Sequence, residues 1–121
     1  MWPDLLLIAV PAGLVILMLI FWASSEANAS CYSARMHVLA QEHANGMARR
    51  NSLDHNGFFR HRGPAGARAE NVAYGYQTEA QTIAQWWRSK GHAANMRLPG
   101  CRATASAVSK SGRRYWAMEI E

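Results

Sequence analysis

Residues 69–96 read AENVAYGYQTEAQTIAQWWRSKGHAANM, and the reading of this stretch decides the rest of the chain. Glu70 stands alone in a small, apolar run from Ala69 to Ala73. Thr78-Glu79-Ala80-Gln81 matches a capping box, in which the residue three places on answers the N-cap hydroxyl. Ala80, Ile83, Ala84 and Trp87 then recur at i, i+3, i+4 and i+7, which predicts a helix over Thr78–Ser89 with that face inward. Trp86 flanks the stripe, so the helix should be covered on more than one side. Lys90-Gly91 reads as the stop, with glycine suited to the left-handed position just beyond a helix. The acid Glu70 and the histidine His92 are thus the two ends of one structural unit.

Working outward, Cys101 opens a segment with a different pattern. ATASAVS alternates small and slightly larger residues, Ser111-Gly112 signals a turn, and RYWAMEI is rich in strand formers. These predict a hairpin that needs helices to cover it, because two or three strands alone are marginal in water. Upstream, residues 51–68 carry turn chemistry throughout, with Asn56-Gly57, Gly63-Pro64 and Gly66. A connection of that length in a small domain is functional or disordered, and Leu53, Phe58 and Phe59 are expected to pin it to the core. Before it, Met36, Leu39, Ala40, His43, Met47 and Ala48 form one helical face, with Ser33 as N-cap and Arg49-Arg50 complementing the dipole. His43 on that face reads as a satisfied core histidine. No internal repeat or low-complexity tract is present.

Residues 5–23 form an uncharged run of 19 residues, long enough for a bilayer core of roughly 30 Å. Ala27-Asn28-Ala29 fits a signal-peptidase site, whereas the absence of a basic residue before the run fits a retained anchor. Residues 1–29 are therefore read as a signal peptide or transmembrane anchor and 30–121 as one extracytoplasmic domain, secreted or anchored through that segment. All 13 Lys and Arg residues but only six of the eight acids lie after residue 29, an excess of seven positive charges. That excess suits lipid or anionic cell-surface material, or serves solubility alone; nucleic acid is not an expected partner of an exported domain. Cys31 and Cys101 stand at the domain edges, either as a disulfide closing a loop of about 70 residues or as two unpaired thiols.

Three polar residues attract chemical interest: His55 in the turn-rich loop, Glu70, and His92. Two imidazoles and a carboxylate from separate elements can hold a divalent cation such as Zn²⁺, or do acid–base work. Their spacings are not a metal signature, and each residue has an ordinary structural explanation. Nucleophiles are poorly represented. Ser89 lies outside any G-x-S-x-G elbow, the cysteines stand far from any catalytic motif, and no glycine run has phosphate-loop spacing.

The segments HANGMARRNSLDHNGFF, AENVAYGY, AQWWRSKGHAANM and GRRYWAM resemble, in order, the CAP superfamily of cysteine-rich secretory proteins, antigen 5 and group-one pathogenesis-related proteins, in its bacterial SCP-like form. The resemblance covers about residues 36–120. It implies an α+β fold, an α-β-α sandwich around a small antiparallel sheet, with His55, Glu70 and His92 converging in one cleft. Family members often carry a second acid there and several bind a divalent cation. Here that second acid falls at Ser89, which cannot supply the charge. The usual N-terminal helix is missing as well, so a minimal version of the domain is expected.

Three functions follow as expectations. The first is a non-catalytic exported domain binding a divalent cation or small polar ligand through His55, Glu70 and His92. The second is a metal- or histidine-assisted hydrolase acting on peptide or cell-wall substrate, with the same three residues as catalytic candidates. The third is a membrane-tethered lipid-surface or adhesion module.

Overall fold

A computed structural model describes residues 31–121; the expected signal or anchor, residues 1–29, lies outside them. Helix α1 spans Ala34–Arg50, a π-helical turn Phe58–Arg62, strand β1 Ala69–Tyr74, helix α2 Glu79–Arg88, helix α3 Lys90–Met96, strand β2 Arg102–Val108 and strand β3 Arg114–Ile120. The sheet order is β1-β3-β2, antiparallel throughout, so the expected hairpin forms and its second strand becomes the centre of the sheet. Among the described residues no helix is long and apolar enough to cross a membrane.

The central strand sets the layering. Alternate residues of β3 face opposite sides, and both sides are covered. Tyr115 and Ala117 pack with Val72 and Ala105 against Ala40, Ala44, Met47 and Ala48 of α1. Trp116, Met118 and Ile120 pack with Ala73 and Trp86 on the opposite side, beside α2 and α3. This is the expected helix–sheet–helix sandwich, and it explains why RYWAMEI is apolar without alternation. All six expected positions of α1 are buried, and Ser33 caps it by accepting from the Met36 N–H at 3.2 Å.

The second helix turns a different face inward from the one its periodicity predicts. Ala80 and Ala84 are exposed and Trp87 is 45% exposed, while Thr82 and Trp86 are fully buried. The capping box at Thr78 and Gln81 forms as expected. The cause of the rotation is the open edge of β1. Trp86 Nε1 donates to the Val72 carbonyl at 3.1 Å, satisfying an edge acceptor that would otherwise be buried without a partner. Thr82 tolerates burial because its hydroxyl donates to the Thr78 carbonyl at 2.9 Å. Trp87 is left outside, under the Arg97 guanidinium.

The predicted glycine stop is also corrected. The helix ends at Arg88, Ser89 is extended, and a new helix starts at Lys90, so Gly91 and His92 lie inside α3. The break lets α3 swing back onto β1, where Asn95 Nδ2 donates to the Glu70 carbonyl at 3.2 Å and to Asn71 Oδ1 at 3.0 Å. Of the residues expected to pin the long loop, Phe58 packs against the core but Leu53 is exposed and Phe59 is 89% exposed. The loop is instead held by backbone bonds. Gly57, at φ +83°, opens the π-helical turn, and its carbonyl accepts from His61 and Arg62 at 2.9 and 3.2 Å.

Cys31 and Cys101 form a disulfide across a sequence separation of 70 residues. Around it the incoming chain runs parallel to the start of β2: Arg102 N donates to the Cys31 carbonyl at 2.8 Å and Ser33 N to the Arg102 carbonyl at 3.0 Å. A loop of that length constrains the unfolded chain by about 4 kcal/mol, a large share of what a domain this small has. Replacing both cysteines with serine should lower the urea-unfolding free energy by about 4 kcal/mol while leaving the far-ultraviolet circular dichroism of the folded state unchanged.

Candidate functional site

Glu70 lies on β1 and faces α1, on the same side of the sheet as Val72. Its registered partner across the sheet is Glu119 of β3. Both side chains are buried, Glu119 completely. Two carboxylates directly opposite one another on neighbouring strands repel, and the surroundings resolve this in two ways. Arg62, itself buried, reaches in from the π-helical turn, with Nε 2.6 Å from Glu70 Oε2 and 3.1 Å from Glu119 Oε1. Its Nη2 adds a bond to Glu70 Oε1 at 3.1 Å, while Nη1 donates to the Asn56 carbonyl at 2.8 Å. The second device is protonation. Burial pushes the Glu119 carboxyl up to about 9, reinforced by the hydrogen bond and charge of Glu70 and only partly offset by Arg62. Burial also raises Glu70, but hydrogen bonds from His43 and Arg62 outweigh it and hold that carboxyl well below its ordinary value. Glu70 is therefore the ionised member of the pair, and Glu119 the neutral one.

His55 is brought to Glu70 by the end of α1. Asn51 adopts the left-handed conformation there and ends the helix. Asp54 then accepts from the Asn56 N–H at 3.1 Å and pairs with Arg50 at 2.9 Å, which fixes the turn carrying His55. His55 Nδ1 lies 2.9 Å from Glu70 Oε1. A carboxylate accepts, so Nδ1 carries the proton and Nε2 is left as a free acceptor on a side chain that is 57% exposed. His43 Nε2 donates to the Asp54 carbonyl at 2.7 Å and lies 3.1 Å from the same Glu70 oxygen. The satisfied core histidine expected at position 43 is thus also a support of the site.

His92 comes from the other side of the β1 edge. Its carbonyl accepts from Asn71 Nδ2 at 3.1 Å, which fixes the first turn of α3 against the strand. Its ring Nδ1 is buried and has no hydrogen-bond partner among the described residues. Burial, and then repulsion from nearby His55 when that ring is protonated, hold its pKa below the ordinary histidine value, which favours the neutral ring at pH 7. No direct hydrogen bond joins His92 to Glu70; His55 is the titratable neighbour of the His92 ring.

Ser89, where the second acid was expected, makes no side-chain hydrogen bond to this group; its backbone serves as the hinge between α2 and α3. The acid beside Glu70 is Glu119, which sequence reasoning missed together with Arg62. The signal that singled out Glu70, an acid alone in an apolar run, is equally present in RYWAMEI. A divalent cation at this group would have to share donors that are already engaged. Among the described residues no group of three His, Cys, Asp or Glu side chains is placed to hold one. Both oxygens of Glu70 are already engaged, and the Arg62 guanidinium stands where a metal's charge would be needed.

Two measurements test this electrostatic account. Replacing Arg62 with methionine keeps much of the volume but leaves Glu70 without its cation, so urea unfolding at pH 7 should show a loss of about 3–5 kcal/mol. Glu119 has a folded pKa raised above its unfolded value, so its contribution is full below about pH 4.5 and lost as pH rises towards about 9. Glu119→Gln should flatten the fall in stability over that range and raise the urea midpoint at pH 8.

The comparisons with known proteins agree with this architecture. The sequence model of CAP, the Cysteine-rich secretory protein family, matches residues 23–119. No curated protein matches the sequence significantly. Among solved structures, an outer surface protein from Borrelia burgdorferi is similar, with a TM-score of 0.61 over 85% of this chain and 90% of that one. At 10% identity that likeness concerns the fold alone. The disulfide and the family together point to an extracytoplasmic domain. With four motifs in order, the sandwich built around Glu70 and a family match over most of its length, the chain belongs to the Cysteine-rich secretory protein (CAP) family.

Proposed function

We propose that this chain is an extracytoplasmic CAP module that holds a small polar ligand between His55 and His92 without turning it over. The observation that carries this reading is the pair of unused imidazole nitrogens. His55 Nε2 is left free by the bond of Nδ1 to Glu70, and His92 Nδ1 is buried without a partner. A buried polar atom left unpaired costs about 1–3 kcal/mol, and a ligand hydroxyl or carboxyl group positioned there would recover it. Glu70 acts as a positioning residue that fixes the tautomer and orientation of His55. Arg62 neutralises Glu70 internally, which favours a neutral or anionic polar ligand over a divalent cation.

Turnover has less support. Both cysteines are consumed by the disulfide, and among the described residues Ser89 has no hydrogen-bonded base. The domain acts outside the cytoplasm, secreted or held by its N-terminal segment.

Ligand binding can be read at the rings themselves. In a titration of the chain with small hydroxy acids and amino sugars, the binder should shift the His55 and His92 ring resonances together. The His55→Ala/His92→Ala variant should lose that binding with its fold intact. Zn²⁺ should give equal, small calorimetric heats with both proteins. A Zn²⁺ heat present only in the unsubstituted chain would replace this reading with the divalent-cation one.

A further inference from the structure

The end of the sandwich formed by the C-terminus of α1 and the β2–β3 turn carries an open depression of about 700 Å³. It is lined by Asn45, Arg49, Asn51, Ser109, Lys110 and Ser111 over a floor that includes Ala48 and Ala107, and none of these residues belongs to the Glu70 cluster. The size is that of a ligand pocket rather than of a packing defect.

The hydrogen-bond pattern gives the depression a single chemical sense. Asn51 Oδ1 accepts from Tyr115 Oη at 2.9 Å and from Ser111 Oγ at 3.3 Å, which orients the amide and leaves its NH₂ group without a partner among the described residues. Asn45 Oδ1 likewise accepts from Gln41 Nε2 at 3.0 Å, leaving its NH₂ free. Arg49 and Lys110 make no hydrogen bond or ion pair among the described residues, whereas neighbouring basic groups are occupied. Arg50 pairs with Asp54, Arg113 lies over Tyr74, and Arg114 donates to Ser106. Among the described residues no acidic one lines the depression. Two of the last four carbonyls of α1 are also taken, Ala48 by the Asn51 N–H and Met47 by the Ser52 N–H. What remains is two amide donors and two cations, with no counter-charge.

The frame is fixed. Ser109 N donates to the Arg113 carbonyl at 2.8 Å, Ser109 Oγ accepts from Arg113 N at 3.1 Å and lies 2.8 Å from Ser111 Oγ, and Gly112 takes the positive φ the turn requires. Lys110 is therefore presented by an ordered turn.

We propose that this depression is a second binding site, separate from the His55–Glu70 cleft, and that it takes a phosphate-type oxyanion. Two cations and two amide N–H donors match the several acceptor oxygens of such a group. The oxyanion could arrive as a free ion or as one unit of a phosphate polymer of the cell envelope, and these two sources differ in how they bind.

The test uses the full chain in neutral detergent, titrated separately with inorganic phosphate and with poly(glycerol phosphate), and followed by amide and side-chain resonances. Shifts should concentrate at Asn45, Asn51 and residues 109–111. The Arg49→Gln/Lys110→Gln variant should bind at least tenfold more weakly, whereas Arg60→Gln/Arg88→Gln, with the same loss of charge on exposed residues elsewhere, should stay within twofold. Saturation by inorganic phosphate identifies a free-anion site, and saturation by the polymer alone identifies the polymer; either supports the proposal. Equal weakening in the two variants, or shifts spread over the surface, would mean undirected electrostatics and would overturn it.

Discussion

Glu70 and Glu119 face each other in register on the covered side of a three-stranded sheet, and this arrangement constrains much of what surrounds it. Two ionised carboxylates at that spacing in a dry interior would oppose folding. The chain therefore needs a cation between them, a proton on one of them, or both. It uses both: Arg62 bridges the pair and Glu119 stays protonated. Because Arg62 must arrive from the loop that follows α1, the course of that loop is dictated by the acids beneath it. The π-helical turn, the left-handed Asn51 and the Asp54 turn are the local means by which residues 51–68 meet that requirement.

The site inherits its order from the same constraint. His55 is held because its neighbours are held: Arg62 bonds to the carbonyls of Asn56 and His55, and His43 to that of Asp54. On the far side, side chains close the edge of β1 in place of another strand. The Trp86 indole and the Asn95 amide donate to the carbonyls of Val72 and Glu70. The helix that carries Trp86 and the helix that carries His92 are thus positioned by hydrogen bonds to one strand. The placement of Glu70 and His92 depends on that strand more than on either helix.

Much of this was legible before any coordinates. The α1 stripe, the capping box at Thr78 and the hairpin rest on local periodicity or turn chemistry, the layered fold was implied by the family resemblance, and each formed. His55 and Glu70 were legible too, one as a loop histidine and the other as an isolated acid, and they are hydrogen-bonded to each other. What the residues could not reveal was anything settled by a partner distant in sequence. Trp86 rather than Trp87 turned inward because a strand edge needed a donor. Gly91 entered a helix because Asn95 had to reach β1. Glu119 carried the same signal as Glu70, an acid in an apolar run, but only pairing with β1 placed it against Glu70. Arg62 lay in a turn-rich stretch where a basic residue reads as solvated, so its burial carried no local signal.

The corner stapled by Cys31 and Cys101 has a mechanical meaning. Glu121 meets the same corner, through its N–H to the Cys101 carbonyl and its side chain to Arg35. Both ends of the described chain are therefore fastened at one point of the sandwich. A pull applied at residue 31 passes through a covalent bond into the start of β2, instead of peeling α1 away turn by turn. The load then reaches the sheet at the Arg102–Ile120 rung, one residue from the Glu119–Glu70 pair. A domain hung from a surface by its N-terminus would take load through the disulfide and the sheet before α1 unwinds.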